Sequence, residues 1–152
     1  MSDERRRVKI SQQLEINSNH FIIYFNQLIE IFDGRIKDKS YDDLCNIWYK
    51  VQRIFDKSKI EIVEYIAPHF LKFKNDIKNE NVDDMLKYDY SQEIVDDCIP
   101  ETRKLILALV DNIKYVYTHS DKDVQQQIVI VTKKITERSI ADQKLRDLMK
   151  KI

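Results

Sequence analysis

The fold is decided by the stretch from Leu14 to Phe32, which reads LEINSNHFIIYFNQLIEIF. Its large apolar residues follow one another at steps of seven, four, three and four: Leu14, Phe21, Phe25, Leu28 and Phe32. An α-helix has about 3.6 residues per turn, so these steps bring all five side chains onto one face. The pattern predicts a first helix from near Arg5 to Phe32. It ends at Asp33-Gly34, because glycine readily adopts the left-handed conformation that follows a helix.

The composition of the whole chain agrees with a helical fold. The sequence has 152 residues, of which 43% are hydrophobic and 34% are charged, with one Gly and two Pro. Helices are interrupted most strongly by Gly and Pro, so their scarcity favours long helices. A chain of this length forms one domain with a sizeable core, without disulfide or metal. We therefore predict a single all-α domain over residues 1–152, with residues 1–9 expected to fray.

Two further helices are predicted before residue 80, each introduced by a capping box. Ser40-Tyr41-Asp42-Asp43 resembles the box, with Asp in place of Glu, and precedes a stripe of Leu44, Ile47, Trp48, Val51, Ile54 and Phe55. Ser58-Lys59-Ile60-Glu61 is the stricter form and precedes a stripe of Ile62, Ile66, Phe70, Phe73 and Ile77. Pro68 lies within this run. It predicts either a kink or a break with Pro68 in the first turn of a new helix.

The second half of the chain predicts two more helices after a region of short helical turns at residues 82–99, where Asn81 and Ser91 are candidate N-caps. Pro100 suits the first turn of a helix whose inward residues are Leu105, Leu109, Ile113 and Val116. Ser120 or Asp121 then caps a last helix with a heptad seam of Val124, Ile128, Val131 and Ile135, resumed by Leu145, Met149 and Ile152. The result is a single compact bundle of about five to six helices.

The seam of the last helix is interrupted in the sequence. Its two intervening positions fall on Arg138 and Asp142, which are charged. Two arrangements fit this pattern. Either solvent interrupts the seam, or the helix bends near Ser139 and the seam re-registers on Ile140.

The sequence contains no recognisable catalytic or metal-binding motif. His20, His69 and His119 are not spaced as helical metal ligands are, and the single Gly34 excludes glycine-rich phosphate loops. We predict no enzymatic activity, no cofactor and no metal.

Cys45 and Cys98 are predicted to be reduced core thiols, which suits an intracellular location. Neither a membrane-spanning apolar run nor a secretory signal is found in the sequence.

Charge is balanced over the whole chain but unevenly distributed. There are 26 basic and 26 acidic residues, which disfavours a dedicated nucleic-acid binder. Residues 76–101 hold nine acids and two lysines, whereas residues 133–151 hold seven bases and three acids. These runs are either solvated helix faces or docking surfaces, and they would also allow copies of the chain to pair.

The candidate interaction residues belong to three groups. Three arginines form an N-terminal arm, seven bases lie on the last helix, and two tyrosines fall off the apolar stripes. The tyrosines suit either an interface or an ordinary surface. The residues are Arg5, Arg6, Arg7, Lys133, Lys134, Arg138, Lys144, Arg146, Lys150, Lys151, Tyr24 and Tyr49.

A resemblance covers the middle half of the chain, from Phe25 to Ile94. Its motifs are Phe25-Asn26-Gln27-Leu28-Ile29, an aromatic-rich helix around Trp48-Tyr49-Lys50, the run YIAPHFLKFKNDIKN at 65–79, and Tyr88-Asp89-Tyr90-Ser91. The stretch resembles a family of small helical proteins from nucleocytoplasmic large DNA viruses, and departs from it at residues 84–88. The resemblance implies a viral protein made in the host cytoplasm and packaged in some cases, with no catalytic residues to transfer.

These observations lead to one leading hypothesis and two alternatives. The leading hypothesis is a non-catalytic, helical protein-interaction module, acting as a viral adaptor or minor virion component with a viral or host protein partner. The first alternative is a nucleic-acid or nucleoprotein-associated protein that uses the basic terminal segments. The second is a helical modulator of host signalling, for which fold alone is no argument.

Overall fold

The computed structural model describes residues 2–36, 38–72, 74–80, 86–87 and 99–152, and these residues are helical with short connections. Six helices are described: α1 Asp3–Ile31, α2 Ser40–Ile54, α3 Lys59–Leu71, α4 Lys74–Lys78, α5 Pro100–His119 and α6 Lys122–Lys150. The prediction of an all-α bundle is thereby confirmed. Of the predicted turns at 82–99, only Leu86 and Lys87 are described, in helical conformation, before Ile99. Phe73, Asn81, Ser91 and Cys98 lie outside the described residues.

The two longest helices pack against each other in opposite directions. Arg7 Nη2 near the start of α1 donates to the main-chain oxygen of Ile152 at 3.0 Å, and Asn17 Nδ2 donates to that of Arg138 at 2.9 Å. Residue numbers thus rise along α1 as they fall along α6. The third helix packs on both, α4 packs on α6, and α2 pairs with α5. Residues 3–9, for which we expected fraying, form the first turns of α1.

The core is built around aromatic side chains of α1, α2 and α3. Phe25 is fully buried, and its ring centroid lies 4.7 Å from that of Trp48 and 6.4 Å from that of Phe70. Trp48 Nε1 donates to Asn26 Oδ1 at 3.0 Å, which satisfies its buried N–H. The predicted inward residues of α1 and α5 are all buried, which confirms both stripes: Leu14, Phe21, Phe25, Leu28, Phe32, Leu105, Leu109, Ile113 and Val116.

The start of α2 differs from the predicted capping box. Ser40 is the first helical residue and not the cap, and no cap side chain bonds to the helix. Instead, Asp38 Oδ1 accepts from the Ser40 N–H at 2.9 Å, and hydrogen bonds from the Ser40 side chain and main chain lower the pKa of Asp38. The stripe was also drawn too wide. Ile54 is 49% exposed because it lies about 90° around the helix from the centre of the buried residues.

The third helix begins after Ser58 as predicted, but it ends at Leu71, and Ile77 lies in the separate helix α4. Ser58 occupies the N-cap position, but its hydroxyl makes no capping bond. Pro68 lies inside α3, which continues to Leu71. The structure therefore excludes a break with Pro68 in the first turn of a new helix. The apolar stripe is correct at Ile62, Ile66, Phe70 and Ile77, all of which are buried.

The last helix contradicts both arrangements that we considered for its seam. Asp121 caps it as predicted, since its Oδ1 accepts from the Val124 N–H at 3.1 Å. The helix then runs unbroken through Ser139, which is fully buried, and Asp142 is only 3% exposed. Solvent does not interrupt the seam, and Ile140, which is half-buried, does not replace Asp142 in it. The seam stays buried and becomes polar, and its polar groups have partners on the same helix, since Ser139 Oγ donates to the main-chain oxygen of Ile135 and Asp142 Oδ2 accepts from Arg146 Nε.

Candidate functional site

The antiparallel pairing of α1 and α6 brings together basic residues that are far apart in the sequence. Residues 3–10 and 144–152 each carry four bases, against three acids in the two segments together. We call this part of the surface the basic end. Its bases are exposed except for Arg146, which is half-buried: Arg5, Arg6, Arg7, Lys9, Lys144, Arg146, Lys150 and Lys151.

A cleft between the two helices lies within the basic end. Its lining combines three bases with three apolar residues: Arg6, Lys9, Lys151, Ile10, Leu148 and Ile152. We call it the terminal cleft. Leu148 is 49% exposed, and Val8, on the neighbouring surface of α1, is 53% exposed. The cleft therefore offers apolar surface and positive charge to the same ligand.

Helix stability does not explain the arginines of the basic end. The first turns of a helix carry partial positive charge, where acids are stabilising and bases are not. Asp3 and Glu4 fit this rule, but Arg5, Arg6 and Arg7 follow them directly. The unfavourable position of Arg7 is partly offset by its hydrogen bond to the main-chain oxygen of Ile152. Arg5 and Arg6 are exposed at an electrostatically unfavourable place near the start of the helix.

Arg146 differs from the other bases because it is engaged within the fold. Its Nε donates to Asp142 Oδ2 at 2.8 Å, its Nη2 donates to the main-chain oxygen of Ile60 at 2.8 Å, and its Nη1 lies 3.5 Å from Glu64 Oε2. These contacts join α6 to α3. Burial raises the pKa of the Asp142 carboxyl, and the hydrogen bond from Arg146 only partly opposes this. Arg146 is a structural residue and not part of an open binding surface.

The remaining predicted bases lie nearer the start of α6, and two of them, Lys133 and Lys134, have side-chain partners. Lys133 Nζ is 3.8 Å from Glu80 Oε1, so it pairs with an acid of the 76–101 segment within one copy. Lys134 Nζ lies 5.4 Å from the centre of the Tyr24 ring, a cation–π contact. Arg138 contributes its main-chain oxygen to Asn17 and has a half-buried side chain. None of these three residues lines the terminal cleft.

The two tyrosines are separated by the fold. Tyr24 is half-buried, packs on the core and lies beneath Lys134. Tyr49 is 58% exposed on α2, where the Arg53 guanidinium lies 5.8 Å from its ring centre. The structure does not bring Tyr49 to the basic end. Cys45, predicted to be in the core, is only half-buried.

Sequence reasoning missed the apolar part of the site. Leu148 falls outside the heptad seam, so it was assigned no role. Its place in the cleft depends on the start of α1 lying beside it, which no spacing within α6 reveals. Ile10 was likewise not assigned to the first stripe, although it lies one turn before Leu14 and is buried.

Other kinds of site are not apparent in the part of the chain that the structure describes. No three His, Cys, Asp or Glu residues there are grouped as metal ligands would be. None of the described helices is long and apolar enough to cross a membrane. A cavity of about 30 Å³, with a mainly apolar lining that includes Phe70, Leu109 and Ile113, has room for no more than one or two water molecules.

The described residues thus define an all-α bundle with a basic and partly apolar surface where its two longest helices end. No protein-family model matches the chain, and no match was found among curated proteins or solved structures. The resemblance to viral helical proteins, and the role that it implies, remain predictions.

Proposed function

We propose that the protein is a non-catalytic interaction module that binds an acidic, amphipathic segment of a protein partner in the terminal cleft. One observation carries this proposal: the pairing of α1 with α6 joins two distant basic segments around exposed apolar side chains. The sequence resemblance suggests its setting, that of a viral adaptor or minor virion component in the host cytoplasm.

The apolar residues favour a protein partner over nucleic acid. A protein segment can cover Leu148 with its own apolar side chains, and interfaces commonly combine an apolar centre with a polar rim. Proteins that bind single-stranded nucleic acid stack bases on aromatic rings, and the lining of the cleft contains none. Basic residues without such rings would bind nucleic acid only through phosphate charge, independently of Leu148.

The proposal is tested by comparing two defined ligands. One is a helical peptide of about 20 residues built from Leu and Glu, and the other is a single-stranded DNA of similar length, each titrated at about 50 and 500 mM salt. We expect the peptide to bind more tightly at both salt concentrations. Its affinity should fall less steeply with salt, because apolar burial is not screened.

Three variants separate the contributions of charge and apolar surface. Lys150→Glu with Lys151→Glu should weaken peptide binding at least about tenfold, since two attractive charges become repulsive. Lys50→Glu with Lys122→Glu makes the same charge change at exposed positions on α2 and at the opposite end of α6, and should leave binding unchanged. Leu148→Asn should weaken the peptide but not the DNA. Tighter binding of DNA, or equal effects of Leu148→Asn on both ligands, would contradict the proposal.

The virion setting has its own test. Quantitative mass spectrometry of purified particles should recover the chain together with known virion proteins if it is a minor component. If the particles lack it, the virion role is wrong and only the adaptor role remains.

A further inference from the structure

The chain itself contains a segment with the chemistry that the terminal cleft would accept. Residues 76–101 carry nine acids and two lysines, and apolar residues such as Met85, Ile94 and Val95 are interspersed among them. We infer that the occupant of the terminal cleft is this acidic segment of a second copy. The inference rests on the proposed function and names its partner.

Asp76 and Glu80, two described acids of the segment, lie far from the cleft of their own copy. Glu80 contacts Lys133 on α6 at 3.8 Å, and Lys133 precedes Lys150 by 17 residues. At about 1.5 Å of rise per residue, this separation along the helix is roughly 26 Å. Asp76 belongs to α4, which packs on α6 and ends two residues before Glu80. Asp76 and Glu80 therefore do not occupy the cleft beside Lys150 in their own copy.

The contact between Glu80 and Lys133 shows that the two segments are complementary. It is a pairing of an acid from the 76–101 segment with a base of α6, made within one copy. Lys151, which follows α6 and lines the cleft, forms no ion pair with Asp76 or with Glu80, which contacts Lys133 instead. A second copy supplies the same kind of acid at the basic end, and apolar side chains for Leu148.

This contact joins two different surfaces, so it does not close on itself as a symmetric dimer interface does. An assembly of any length therefore keeps one unoccupied cleft at one end and one unoccupied acidic segment at the other. Copies would add head to tail, and the average mass would rise with concentration. Because much of the attraction is between exposed charges, we expect assembly to weaken as salt shortens the range of charge interactions.

Sedimentation velocity of the full chain tests the inference. The wild-type protein should form species larger than the monomer at about 50 mM salt and return to the monomer near 1 M, where the screening length falls to about 3 Å. A monomer at about 50 mM salt and high concentration would overturn the inference. The Leu and Glu peptide would still bind in that case if the proposed function is correct, so the two failures are distinguishable.

A mixing experiment determines which surfaces meet. One variant carries Lys150→Glu and Lys151→Glu, which make the cleft repel the acidic segment, and the other carries Asp96→Asn and Asp97→Asn, which remove two negative charges from that segment. Each alone should be monomeric, whereas an equimolar mixture should give a species of twice the monomer mass. In the mixture, the intact segment of the first variant can bind in the intact cleft of the second. The Lys50→Glu, Lys122→Glu protein should assemble like the wild type, and a mixture that stays monomeric would refute the pairing.

Discussion

Arg146 Nε donates a hydrogen bond of 2.8 Å to Asp142 Oδ2, one helical turn earlier, in a place where Asp142 is 3% exposed. The same guanidinium bonds to Ile60 of α3. Removing one partner of a buried ion pair costs more than the pair contributes, because the other charge is left uncompensated.

Replacing Arg146 with Met should destabilise the fold. We expect a loss of about 3 kcal/mol in the free energy of unfolding, at the lower end for a buried pair, because the Arg146 side chain is 22% exposed. Urea unfolding followed by the fluorescence of Trp48 measures it. Lys144→Met, at an exposed position two residues earlier, is the control and should change stability by less than about 0.5 kcal/mol. Equal effects would show that Arg146 is not structural.

Asp142 should make stability depend on pH in the opposite sense to an ordinary ion-paired carboxylate. Its pKa is raised above the ordinary value of 3.8, so in the acidic range the folded protein holds this proton when the unfolded chain has lost it. Its contribution to stability is therefore greatest at low pH and is lost as pH rises through the folded-state pKa. The stability of Asp142→Asn relative to wild type should increase from about pH 4 to pH 7. Urea unfolding at several pH values measures this difference, and a constant difference would contradict the assignment.

Pro68 is a site where stability can be gained. It is exposed and lies inside α3, where proline cannot donate the hydrogen bond that Glu64 O would accept. Pro68→Ala restores the hydrogen-bond donor, but it also increases the conformational entropy of the unfolded chain. We therefore expect a net gain of about 1–2 kcal/mol in the free energy of unfolding. Thermal unfolding by circular dichroism should show a higher midpoint. A lower midpoint would mean that the surrounding helices have adapted to the proline.

The two N-caps should differ although sequence rules treat them alike. Asp121 accepts from the Val124 N–H, whereas the Ser58 hydroxyl makes no capping bond. Asp121→Ala should therefore cost about 1 kcal/mol and Ser58→Ala distinctly less. Denaturant unfolding of the two variants side by side checks this. Equal losses would show that the Ser58 hydroxyl caps α3 in solution.

Truncation of Phe25 in the core should strongly destabilise the fold. Phe25 is fully buried between Trp48 and Phe70, and Phe25→Ala leaves a cavity that costs about 3–5 kcal/mol. The matched control is Ile23→Ala on the same helix, where the Ile23 side chain is 52% exposed. This substitution should lower the free energy of unfolding by less than about 1 kcal/mol. Similar losses would contradict the described burial.

The fold was predictable where the sequence carries apolar periodicity. The stripe of α1, with Phe21 and Phe25, was found because large apolar residues recur at helical spacing and burial of such side chains dominates folding. Asp142 was misplaced for the same reason, since a charged residue in a seam is read as solvent-facing. Ser139 was expected only at a bend, but it is buried within a continuous helix, where its hydroxyl donates to the main-chain oxygen of Ile135. The basic end was half predictable: its bases were identified, but their meeting depends on the direction and register of α1 against α6.

The contact between Asn17 and Arg138 has a consequence for the far end of the molecule. Two long apolar seams can slide past each other by a turn, about 5.4 Å, at little cost to their apolar contacts. The Asn17 amide discriminates between such alignments, because sliding would separate it from the main-chain oxygen it reaches at 2.9 Å. That alignment places Arg7 beside Ile152 and Leu148 beside Lys9. A substitution such as Asn17→Leu would therefore allow α1 and α6 to shift and separate the residues of the terminal cleft, ten residues away, even where the bundle itself still folds.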